Sequence, residues 1–86
     1  MNIKKELIKR QIAGETILVP VGKTVYEANG LFVLNEMGDF LWELLPDAEG
    51  EGDLVKAVLA EYEVSEEVAR EDVAAFLNKL RNMGIL

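Results

Sequence analysis

Eighty-six residues, half of them hydrophobic and 29% charged, suit one folded unit with a single small core. The chain has no cysteine and no histidine, which removes disulfides, a thiol nucleophile, the usual neutral-pH acid–base group and the commonest metal ligand. A formal charge of −7 repels phosphate backbones, so enzymatic and nucleic-acid functions both lack their ordinary equipment, and no metal or cofactor is expected.

At the N-terminus, "MNIKKELIKR" carries lysines with no apolar stretch behind them, and no apolar run approaches the length of a membrane span. Neither a signal peptide nor a membrane helix is expected, and a cytoplasmic location follows as the default. Two β-prone runs come next, at about 6–13 and 15–21, joined through Ala13-Gly14-Glu15, where glycine supplies the turn conformation. Ile8 and Ile12 flank Arg10 on one face of the first. In the second, Ile17, Val19 and Val21 oppose Thr16 and Leu18, and Pro20 brings that strand to its end.

Residues 22–29 read as a connection with some extended character at Thr24 to Tyr26, closed by the tight-turn pair Asn29-Gly30. A third strand at about 30–34 follows, with Leu31 and Val33 on one side and Phe32 and Leu34 on the other, so both faces are apolar. Asn35 is suited to cap a helix over about 36–45, in which Met37, Phe40, Leu41, Leu44 and Leu45 recur at helical spacing until Pro46. Trp42 lies off that stripe, as filler between this helix and the sheet or as an anchor for a partner. The polar loop "DAEGEG" leads to a helix at about 53–62, with Leu54, Val55, Val58, Leu59 and Tyr62 inward. Ser65 caps the last helix, about 66–83, whose core stripe is Ala69, Val73, Phe76, Leu77, Leu80 and Met83. Gly84 and Ile85 fit a Schellman closure. The expected fold is therefore α+β: one winged-helix-like domain over 1–86, with a three-stranded antiparallel sheet followed by a three-helix bundle.

The strands differ in how they are guarded. The first carries Lys9, Arg10 and Gln11 and the second Pro20, whereas 31–34 holds neither charge nor proline. In a simple meander the third strand is an edge, open to a guest strand whose alternate side chains give selectivity. Coverage of that edge by a loop, the N-terminus or a second copy is the structural alternative. On the last helix Arg70, Ala74, Leu77 and Arg81 lie within about 60° of one another. That flank suits either an acidic, amphipathic peptide or plain solvation, with Arg81 favoured near a helix C-terminus.

"LIKRQIAGETILVPVG", "GLFVLNEMGDFLWELL" and "VLAEYEVSEEVAREDVAAFLNKLRNMGIL" together resemble the family of coenzyme PQQ biosynthesis protein D, peptide-recognition elements of ribosomally made, modified peptides. Its most specific pieces are Leu34-Asn35-Glu36 entering a helix with Trp42, and Asp72-Val73 with Phe76-Leu77 and Leu80. The resemblance implies a non-enzymatic chaperone that binds the leader of a precursor peptide and presents it to a modifying enzyme, often a radical-SAM protein. It implies a peptide-binding strand of Leu31, Phe32, Val33 and Leu34, and a helix side drawn from Arg70, Val73, Ala74, Leu77 and Arg81. Nothing singles out PQQ from other peptide products. A monomer or weak homodimer is expected; the competing classes are a structural homo-oligomer that pairs its free edge with a copy of itself, and a winged-helix DNA binder. Glu66, Glu67, Glu71 and Asp72 set against Arg70, Lys79 and Arg81 make the last the poorest fit.

Overall fold

The computed structural model describes residues 1–23 and 32–86. Strands β1 (Leu7–Ile12), β2 (Glu15–Pro20) and β3 (Phe32–Leu34) are followed by helices α1 (Glu36–Leu44), α2 (Glu51–Glu61) and α3 (Glu66–Asn82), with a 3₁₀ turn at Leu45–Asp47. The expected turn at Asn29-Gly30, the extended stretch near Thr24 and the site residue Leu31 lie outside the described residues.

β1 and β2 form an antiparallel hairpin in which Ile12 pairs with Glu15, leaving Ala13-Gly14 as a two-residue turn. Both turn residues have positive φ, 52° and 82°. That is the signature of the turn whose twist matches the flanking strands. β2 then pairs antiparallel with β3, Thr16 opposite Leu34 and Leu18 opposite Phe32. The strand order is β1-β2-β3, so β3 has a partner on one side.

The helices cover one face of this sheet. Leu18 and Leu34 join Leu41, Leu45, Leu54, Val58, Val73, Leu77 and Leu80 in one buried cluster. Each fully buried aliphatic side chain contributes about 1.5–3 kcal/mol relative to exposure. The opposite face carries Ile8, Ile12 and Val33, all exposed, together with Ile17, which is buried.

Caps set the helix ends. Gly38 N–H donates to Asn35 Oδ1 at 2.7 Å and Val68 N–H to Ser65 Oγ at 3.2 Å. At the far end of α3, Ile85 N–H reaches Leu80 O (2.8 Å) and Gly84 N–H reaches Arg81 O (3.0 Å), the two bonds of a Schellman closure. Gly84 takes the required left-handed φ of 73°, and Ile85 is buried.

One boundary departs from expectation. α2 begins at Glu51, not near 53, so the end of "DAEGEG" is helical. Gly50 occupies the cap position, and Asp53 accepts the Glu49 N–H at 3.0 Å. Two acids in the first turn, Glu51 and Asp53, then complement the positive end of the helix and outweigh the flexibility of Gly52.

Candidate peptide-binding groove

The edge strand and α3 form the walls of a groove of ≈ 510 Å³, with the first turn of α1 closing one end. The strand wall follows from local sequence. In β3, alternation sends Leu34 into the core and leaves Phe32 half-buried, while Val33, 55% exposed, faces the other way. Alternate residues of an antiparallel strand direct their N–H and C=O to one neighbour. Among the described residues β3 pairs with β2 alone, so its other edge presents outward-facing backbone groups there.

On α3 the lining residues are Asp72, Ala75, Phe76 and Lys79, spaced i, i+3, i+4 and i+7 along one helical face. Phe76 belongs to both core and groove. Its ring meets Phe32 edge-on, with centroids 6.4 Å apart and planes at 87°. Such T-shaped pairs contribute about 0.5–1.5 kcal/mol beyond burial. Met37 and Gly38 complete the apolar lining. A Cβ on Gly38 would lie 3.3 Å from Leu34 Cδ2 and 3.5 Å from Phe76 Cε1, so the missing side chain lets α1 approach both walls.

The residues expected to bind peptide divide sharply. Phe32, Val33 and Leu34 lie on the groove. Val73 and Leu77 are fully buried beneath it and hold α3 in place. Arg70, Ala74 and Arg81 do not come to the groove: their flank lies about 180° around the helix from the Asp72–Lys79 face. Arg70 is exposed and paired with Glu66 at 3.2 Å. The buried stripe of α3 has two flanks, each about 90° from its centre, and only the fold's handedness selects the one that meets β3. Asp72 and Phe76 stood among the residues carrying the family resemblance. Ala75, an exposed alanine, had no sequence signal.

A second, shallower hollow lies on the other side of α1, between Lys9 of β1, Glu36, Asp39, Phe40, Glu43 and Leu44 of α1, and Tyr62. Lys9 Nζ pairs with Asp39 (2.7 Å) and with Glu43, tying the hairpin to α1. Those two hydrogen bonds raise the lysine above its ordinary pKa. Phe40 and Tyr62 meet edge-on at 5.4 Å. Partial burial, followed by the nearby Glu36, pushes the Tyr62 hydroxyl above its ordinary value. Trp42 is partly buried against the core. Among the described residues no helix is long and apolar enough to cross a membrane.

With this geometry the chain belongs to the family of coenzyme PQQ synthesis protein D, whose sequence model matches residues 15–86. No curated protein matches it. Among solved structures it is similar to TbiB1 in complex with the TbiA(beta) leader peptide, at 28% identity and a TM-score of 0.76 over 100% of this chain and 94% of that one. It also shares the fold of a lasso peptide synthetase B1 complexed with its leader peptide, at 22% identity and a TM-score of 0.72, covering 94% and 89% of the two chains. Both likenesses bear out the α+β fold of three antiparallel strands followed by three helices.

Proposed function

We propose that this chain is a non-catalytic recognition module that binds the leader of a ribosomally made precursor peptide and hands it to a modifying enzyme. The leader adds as a strand to the free edge of β3, beside Phe32, Val33 and Leu34, and lays alternate side chains into the groove against Ala75, Phe76 and Met37. The observation that carries this reading is the edge strand, paired among the described residues with β2 alone and flanked by an apolar groove. Main-chain pairing supplies affinity in this mode, and side-chain pockets supply selectivity. Support also comes from TbiB1, a 28% identical structure whose bound partner is a leader peptide. An enzymatic role finds no support in a sequence lacking both cysteine and histidine. The receiving enzyme is of the peptide-modifying class, and a radical-SAM protein fits the family resemblance.

The test is selection of binders from a random 15-residue display library, followed by titration of isotope-labelled protein with the best of them. Amide shifts should concentrate on residues 32–34 and 72–79. Shifts gathered on α2, or on β1 alone, would overturn the proposal.

A further inference from the structure

The groove carries an uneven set of charges. Asp72 and Lys79 lie on its helical wall and Glu15 at its rim, giving a net charge of −1 from these three. Two other cations are paired within the protein, Lys9 with Asp39 and Arg70 with Glu66. Asp72 and Lys79 are exposed and have no ion-pair partner among the described residues. They also do not reach each other easily, since seven residues of helix separate them by about 10.5 Å along the axis. Between them sits the apolar surface of Ala75 and Phe76.

We propose that Asp72 and Lys79 recognise two opposite charges on the guest strand, one on each side of an apolar anchor, and so fix the order in which those charges run along the leader. This rests on the leader-binding reading above and specifies the class of leader the groove accepts. An extended chain presents side chains to one face every ~6.7 Å, so three consecutive same-face residues span ~13 Å. The central one meets Phe76, and the outer two arrive within side-chain reach of the two charges. The anchor therefore has a cationic residue two positions away on the Asp72 side and an acidic residue two positions away on the Lys79 side. The cation is the more strongly demanded of the two, because Glu15 adds a second carboxylate.

The same display library, selected in parallel on the wild type, on the reversed variant D72K/K79D and on the neutral variant D72N/K79Q, tests this. Both positions are exposed, and circular dichroism checks that each variant keeps its helices. Wild-type binders should carry cation, anchor and anion at alternate positions in one order. The reversed variant should enrich the opposite order and the neutral one neither. Resynthesised peptides of the two orders should differ about fivefold in Kd on the wild type at low salt, with the sign inverted on the reversed variant. Enriched peptides that shift 32–34 and 72–79 yet show no charge order, or the same order on all three proteins, overturn this inference and leave leader binding standing. Failure to enrich any peptide, or shifts elsewhere, overturns both.

Discussion

Ala75 is the residue at which groove binding separates most cleanly from stability. It is exposed, lies on the helical face of Asp72 and Lys79, and lines the groove next to Phe76. In Ala75→Gln the longer side chain projects into the space the guest's anchor would fill. Glutamine ranks just below alanine as a helix former, so folding stability should change by only about 0.3 kcal/mol. Beneath a docked strand its amide would lose water and find no designed partner, a cost of about 1–2 kcal/mol. The Kd for a fluorescein-labelled groove peptide should therefore rise about 5- to 30-fold with the melting temperature nearly unchanged. Arg70→Ala and Arg81→Ala, on the opposite flank, provide the contrast and should leave affinity within about twofold at moderate salt. Unaltered binding by Ala75→Gln together with a large loss in the arginine variants would show that the guest uses the other side of α3.

Three further outcomes follow from the packing and the caps. Leu77→Ala removes a fully buried side chain from the central cluster and should cost about 2–5 kcal/mol, lowering the melting temperature by at least about 10 °C. Asn35→Ala deletes the cap that accepts the Gly38 N–H at the groove's end and should cost about 1 kcal/mol by denaturant titration. Tyr62 has its folded pKa raised, so the protonated form favours the fold below the ordinary tyrosine value, and that contribution is lost as pH rises through the folded value. With Tyr26→Phe as background, the phenolate absorbance of Tyr62 should titrate above the ordinary tyrosine value, and unfolding should bring it back down.

Much of the architecture is written in short-range patterns. Asn35 and Ser65 lie where their side chains can reach the first free N–H groups of a helix, and Gly84 lies where the chain must turn left-handed. These decisions involve residues within five positions of one another, which is why they can be read without knowing what lies across the core. The start of α2 was harder, because Gly50 and Gly52 suggest a loop while Glu51 and Asp53 favour a helix end. That competition was resolved by the acids. The edge position of β3 is only one of the readings its sequence allows: lack of charge or proline marks an unguarded strand, and the strand order that makes it an edge is a property of the folded sheet.

The helical wall of the groove belongs to another level. Residue spacing shows that α3 has a buried stripe and two flanks, and nothing local distinguishes Arg70–Arg81 from Asp72–Lys79 as the one beside β3. That choice comes from how the helices cross over the sheet, bringing Phe76 against Phe32, and it depends on contacts between residues 44 positions apart in the chain. Local order is thus set by the sequence near each residue, and the face α3 turns toward the edge strand is set only when the whole core closes.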